Sequence, residues 1–80
     1  MRFKFRVIVM PKRDLLDPQG RAVAGVLRDM GVRVEDVRVG KSINLIVEAE
    51  SEEEAERTVD RIARDVLSNP IIEDYTVQRL

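Results

Sequence analysis

Two short stretches of this 80-residue chain carry residue types that could bind a phosphate group. One is "DPQG", which ends at Gly20, and the other is the triplet Gly40-Lys41-Ser42. A phosphate loop of the Walker type needs a further glycine upstream, and a dinucleotide-binding loop needs three spaced glycines directly after a strand. Neither stretch has that spacing. The sequence therefore favours a helix start at Gly20 and a turn at Gly40-Lys41 over a nucleotide site.

The other residues with chemical potential do not form a catalytic or metal-binding set. The chain has no His and no Cys, which removes the Cys/His nucleophile arrangements and the commonest soft metal ligands. Its densest acidic run, Glu52–Glu54, stands where a helix is expected to begin, whereas a hydrolytic pair of carboxylates has to be held across a cleft. We therefore expect no catalytic residue, no cofactor-binding residue and no metal ligand in this chain.

Composition also argues against nucleic-acid and membrane partners. The 14 basic and 15 acidic side chains give a net charge of −1, whereas a general nucleic-acid binder carries a clear basic excess. RNA-binding sheets stack bases on exposed aromatics, but Phe3 and Phe5 share the face expected to lie under helices. No run approaches the roughly 18 apolar residues of a membrane span, and the N-terminus does not resemble a signal peptide. We expect a cytoplasmic protein.

The first half of the chain reads as a strand followed by a helix. Residues 2–10 alternate charged and apolar side chains, as a half-buried strand does. Asp17 is a good N-cap, and Pro18 suits the first helical position, where its missing N–H costs nothing. Apolar residues then recur at steps of three and four as far as Met30. Gly31 stands where a left-handed residue commonly ends a helix.

The second half predicts two strands, a helix and a last strand. Residues 32–49 are expected to hold two strands joined by a tight hairpin at Gly40-Lys41. Ser51 with an acidic residue three positions later begins the clearest helix, and Asn69-Pro70 ends it. The order β-α-β-β-α-β predicts one α+β domain over residues 1–80. Its expected fold is ferredoxin-like, a four-stranded antiparallel sheet with two helices on one face.

Self-association is expected from the size of the chain. A domain of this length buries only about 60% of the surface that its unfolded form exposes. Without a disulfide or a soft metal site, contact between copies is the remaining way to bury more, so we expect a homodimer or a homotetramer. The outer sheet face, opposite the helices, mixes charges with apolar residues, as association surfaces do. The apolar residues expected in that interface are Ile8, Met10 and Ile46.

Three segments together resemble the PurS subunit of phosphoribosylformylglycinamidine synthase. They are "LLDPQGRAV" at 15–23, "DVRVGKSINLIVEA" at 36–49 and "NPIIEDYTV" at 69–77. They occur in the family's order and spacing, and the similarity covers nearly the whole chain. The resemblance makes "LLDPQG" the family's helix start and implies no phosphate site there.

The resemblance implies a non-catalytic assembly subunit of a ligase in de novo purine biosynthesis. In this family a large synthetase subunit uses ATP, with Mg, and a glutaminase subunit with a Cys nucleophile releases ammonia. The small subunit bridges these two partners so that ammonia passes between their sites. It carries no cofactor of its own. The residues that we expect to contact the partners are conspicuous in or beside the matching segments: Gln19, Arg21, Arg38, Lys41 and Asn69.

Two other functions share the predicted element order. A small-molecule-binding regulatory domain of the ACT type would place a glycine in the loop after the first strand, and "PKRDLL" has none. A free-standing acylphosphatase-like enzyme would need a glycine-rich phosphate loop there, and only Arg13 fits that pattern. The ACT-like domain is the main alternative to the assembly subunit.

Overall fold

Three strands and two helices make up the structure, a computed structural model that describes all 80 residues. A five-residue π-helix continues the second helix at its C-terminal end. In chain order the elements are β1 (Arg2–Pro11), α1 (Pro18–Asp29), β2 (Lys41–Glu48), α2 (Glu52–Ile62), the π-helix (Ala63–Leu67) and β3 (Glu73–Arg79). Neither α-helix has the length and apolar character required to cross a bilayer.

The sheet has three antiparallel strands in the order β2-β1-β3. In the register of β1, Val7 lies opposite Ile43 of β2 and Val77 of β3. The first and last predicted strands are therefore confirmed, as is the later of the two strands expected in residues 32–49. The prediction of a four-stranded sheet is wrong, because the fourth strand is absent.

The missing strand is the segment 32–40, here called the return segment, which runs along α1 instead of beside β2. The Val39 N–H donates a hydrogen bond to Asp17 Oδ2 at 2.8 Å, and the carbonyl of Val37 lies directly against Gly20. The partners that a neighbouring strand would supply are thus found at the start of the helix. The predicted hairpin at Gly40-Lys41 is also wrong, because Lys41 already pairs with Val9 as the first residue of β2.

The hydrophobic core lies between β1 and α2. Phe5, Val7 and Val9 are at most 1% exposed, and the helical residues that cover them are small. Ala55, Val59 and Ala63, spaced four residues apart, form the covering stripe. Small side chains let the helix approach the sheet closely, so few atoms of this core remain in contact with water. The alternating pattern of β1 is confirmed, with its odd-numbered residues facing inward.

Helix α1 has the predicted ends but not the predicted position. Asp17 caps it by accepting from the Gly20 N–H at 3.0 Å, Pro18 is its first residue, and Gly31 adopts the left-handed φ of 86°. None of its residues belongs to the core cluster. The expectation of two helices on one sheet face is therefore wrong, because only α2 covers the sheet. We call residues 12–40 the arm; with it the molecule measures 52 × 24 × 14 Å.

Candidate functional site

The three segments that carry the family resemblance meet at one end of the sheet. At this end, here called the junction, β1 finishes and both β2 and β3 begin. The Lys12 N–H donates to the Ile72 carbonyl at 2.9 Å and joins the first connection to the last. Arg38 of the return segment donates to the carbonyl of Pro11. Segments that are far apart in the sequence thus form one continuous surface.

Charged side chains on the junction pair across strands at the surface. Lys12 Nζ lies 3.1 Å from Asp74 Oδ1, and Lys41 Nζ lies 3.8 Å from Glu73 Oε2. The Glu73 side chain is 20% exposed and the other three are more open; ion pairs at a surface contribute about 0–1 kcal/mol to stability. These pairs therefore add little to stability, and Lys12, Lys41 and Asp74 remain accessible to a binding partner.

An apolar groove of about 420 Å³ lies beside these charges. Its walls come from the end of β1, from the loop before α1 and from the turn before β3, and are lined by Pro11, Leu15, Leu16, Ile72 and Glu73. Leu16 is 77% exposed, and Ile71, next to the groove, is 81% exposed. Apolar side chains so accessible and so close together are typical of a protein-binding surface.

Sequence reasoning missed these apolar residues. The pairs Leu15-Leu16 and Ile71-Ile72 stand in segments predicted as connections, and an apolar pair in a connection is the signal that could have revealed them. The pairing of β1 with β3 and the hydrogen bond from Lys12 to Ile72 bring the two connections together.

The five predicted contact residues occupy different settings. Lys41, 57% exposed, and Asn69 lie at the junction. Asn69 also shapes the turn, because its Oδ1 accepts from the Ile71 N–H at 3.1 Å. Arg38 joins the arm to the end of β1. Gln19 is exposed in the first turn of α1, whereas Arg21 lines a separate polar crevice between α1 and the return segment.

The three residues predicted for self-association lie on the outer sheet face, but they do not form one continuous apolar patch. Ile46 is 56% exposed and lies opposite Lys4, whereas Ile8 lies opposite Ser42. A hydrogen bond from Arg6 Nε to Asn44 Oδ1 at 3.1 Å lies between them. Met10 is half-buried, because Gly40 passes directly over its sulfur.

Comparison with known proteins gives the same result at every level. The family model for PurS, described as phosphoribosylformylglycinamidine (FGAM) synthase, matches residues 4–80. The chain belongs to the PurS family. It is 40% identical over 79 residues to the PurS subunit of Thermotoga maritima, and the aligned region covers 98% of this chain and 96% of the relative. It is 39% identical over 74 residues to the Bacillus subtilis subunit, covering 91% and 87%.

Solved PurS structures have the same fold. The crystal structure of the T. maritima PurS subunit superposes with a TM-score of 0.90, covering 100% of this chain and 93% of that chain. A chain in the structure of PurLQS from T. maritima also superposes with a TM-score of 0.90 and is 40% identical. The match covers 100% of this chain and 99% of that chain. PurS is a subunit of FGAM synthase in purine biosynthesis. Family membership thus favours the assembly subunit over the ACT-like alternative.

Asp17 couples the PurS helix start to the return segment, and this predicts an acid-dependent stability. The N–H groups of Gly20 and then Val39 lower the pKa of its carboxyl group. A lowered folded-state pKa stabilises the protein above the unfolded pKa, about 4 for Asp, and this contribution disappears as the pH falls through the folded value. We expect Asp17→Asn to lower the free energy of unfolding at pH 7 and to reduce its decline below pH 4.

Chemical denaturation at a series of pH values checks this expectation. Asp14→Asn is the control, because Asp14 is exposed and accepts no hydrogen bond in the structure. An acid profile of Asp17→Asn identical to that of the wild type would contradict a role for the carboxylate.

Proposed function

We propose that this chain is the non-catalytic assembly subunit of an FGAM synthase, and that it holds a glutaminase and an ATP-dependent synthetase together. The observation that carries the proposal is the junction, where the family's segments combine exposed apolar side chains with charges on one surface. A structural neighbour assembles as PurLQS, and we extend that assembly to this chain. ATP and Mg are used by the synthetase, so no residue of this chain serves catalysis or holds a cofactor.

A bridge of this kind acts by placing two active sites at a short, constant separation. Ammonia released by the glutaminase then meets the synthetase site at a high effective concentration. It also reaches that site before water protonates it. The work of the subunit is therefore geometric, which suits a chain without His or Cys. The compartment that fits this task is the cytoplasm.

The contacts fall into two groups. The junction binds a partner subunit through its groove, and five polar residues assist: Gln19, Arg21, Arg38, Lys41 and Asn69. Ile8, Met10 and Ile46 on the outer sheet face contribute to contact between copies in a homodimer or homotetramer. Neither nucleic acid nor membrane takes part.

A charge placed in the groove tests the proposal. We expect Leu16→Asp to weaken binding to the synthetase and glutaminase about tenfold, the loss of one apolar contact worth about 1–2 kcal/mol. Because Leu16 is 77% exposed, the melting temperature of the isolated subunit should hardly change. Val66→Asp is the matched control, since Val66 is 74% exposed and lies on the π-helix.

Affinity is measured by titrating the purified partners with each variant. The synthase activity of the assembled complex is measured with glutamine or with an ammonium salt as the nitrogen donor. Glutamine-dependent product formation should fall with Leu16→Asp, whereas formation driven by added ammonium salt should not. If Leu16→Asp binds the synthetase and the glutaminase as tightly as the wild type does, the groove is not part of the interface. Turnover by the isolated chain would refute the assembly role altogether.

A further inference from the structure

We propose that the polar crevice between α1 and the return segment binds a free α-amino acid, held by its carboxylate and its ammonium group at the same time. This function goes beyond the bridging role and does not depend on it, because the crevice and the apolar groove of the junction have no lining residue in common. Binding at this site gives the subunit a second role, as a receptor for an amino acid.

The crevice has the size of a small-ligand site, and its walls are fixed. Its volume is about 360 Å³, at the lower end of the roughly 300–1,000 Å³ that such sites occupy. The return segment is tied to the start of α1 by the hydrogen bond from Val39 to Asp17. It is tied to the last turns of α1 by the Val32 N–H, which donates to the Leu27 carbonyl at 2.9 Å. Because the walls are in place before a ligand arrives, ordering them costs little binding energy.

Opposite charges line the two walls without pairing with each other. Arg21 and Arg28 stand on the wall formed by α1, whereas Glu35 and Asp36 stand on the wall formed by the return segment. None of these residues takes part in the four ion pairs of the structure. The positive and negative groups therefore border the same space from opposite sides, with room for a ligand that carries both charges.

The balance of charge selects a ligand without net charge. Two guanidinium groups and two carboxylates border the crevice, so a zwitterion is attracted by both walls. A phosphate group carries only negative charge and would meet the two carboxylates. The start of α1 offers it no compensation, because Asp17 accepts from the Gly20 N–H that could otherwise bind an anion.

Each charged end of an α-amino acid matches one wall. A guanidinium donates two parallel hydrogen bonds to a carboxylate. Arg28 Nη2 donates to the Val34 carbonyl at 3.3 Å, which holds the guanidinium beside the crevice and leaves its other N–H groups for a ligand. The ammonium group donates to Glu35 and Asp36. A quaternary ammonium has no N–H and is bound by aromatic rings, and no aromatic residue lines the crevice.

The crevice lies on a different side of α1 from its exposed apolar residues. Val26 and Met30 follow the lining residues Ala24 and Arg28 by two positions each. At 3.6 residues per turn, the two pairs are roughly 160° apart around the helix axis. A protein that covers the apolar side of α1 therefore leaves the crevice open to a small ligand.

Titration of the isolated full chain with free amino acids tests the proposal. The probes are glycine, the smallest member of the class, and L-glutamine, the nitrogen donor of the proposed assembly. In NMR spectra we expect saturable shifts of the amide signals of Ala24 and Val37, which line the crevice, and none for Ile72 in the groove. N-acetylglycine lacks the ammonium group and glycinamide lacks the carboxylate. Each should bind about tenfold more weakly than glycine, since each loses its charge-assisted hydrogen bonds to one wall.

Two substitutions remove one charge from each wall. We expect Arg28→Gln and Asp36→Asn each to weaken amino-acid binding about tenfold. The matched controls are Arg33→Gln and Asp29→Asn, which change exposed charges of the same two elements outside the crevice and should bind as the wild type does. Arg21 is left unchanged because the proposed function already assigns it a contact with a partner.

The proposal is overturned if neither glycine nor L-glutamine gives saturable shifts. Binding of N-acetylglycine and glycinamide as tight as that of glycine also overturns it, and so does unchanged binding by both wall variants. If Arg28→Gln weakens binding of the partner subunits while neither amino acid binds the wild type, the crevice is a protein contact instead. The bridging role is tested separately with Leu16→Asp, so either proposal can fail while the other stands.

Discussion

Replacing Phe5 by Ala should lower the free energy of unfolding by about 3–5 kcal/mol, the usual cost of deleting a buried aromatic ring. Phe5 is 1% exposed at the centre of the core, and the Arg79 guanidinium lies 5.5 Å from its ring centroid. A domain of this size has only about 4–12 kcal/mol of stability in total. The variant is therefore expected to be partly unfolded at 37 °C.

Urea denaturation at a fixed protein concentration measures this effect, since self-association makes apparent stability depend on concentration. Val66→Ala is the control, because Val66 is 74% exposed and its truncation should change stability by less than about 0.5 kcal/mol. Equal stability of Phe5→Ala and Val66→Ala would mean that the core does not lie between β1 and α2.

Replacing Gly20 by Ala should cost about 1–3 kcal/mol through overpacking. A Cβ atom at this position would overlap the carbonyl oxygen of Val37 and crowd Asp17 Oδ2. Both neighbours are parts of the contact between α1 and the return segment. The methyl group should push that segment away from the helix and break the hydrogen bond from Val39 to Asp17.

Gly25→Ala is a matched control with the opposite sign. Gly25 lies on the same helix, and a Cβ atom there would meet nothing within 4 Å. Because Ala favours helix over Gly by about 0.5–1 kcal/mol, this variant should be more stable than the wild type. Denaturation gives both values, and hydrogen exchange of the Val39 amide should accelerate in Gly20→Ala alone. Equal stabilisation by both substitutions would exclude the close approach at Gly20.

Local pattern was sufficient for the features that a few neighbouring residues determine. The alternation of β1, the cap at Asp17 and the left-handed Gly31 depend on a few neighbouring residues, and the structure has each of them. Family membership could also be read from the chain, because three separated segments keep their order and spacing.

The return segment was mispredicted because two partners compete for the same backbone. Val37 and Val39 have the pattern of a strand, but a strand needs a neighbour, and Asp17 and the start of α1 bind this backbone instead. The apolar stripe of α1 was correctly placed on one face. The periodicity predicts that this face packs against an apolar surface, but it does not identify that surface.

The sequence by itself determined the first and last strands, the starts of both helices, the inward face of β1 and the PurS family, since these depend on neighbouring residues or on matched segments. Only the tertiary structure decided that the sheet has three strands and that the arm extends away from it. It also brought Leu16 and Ile72 into one groove. These features depend on residues far apart in the chain, and no local pattern encodes such contacts.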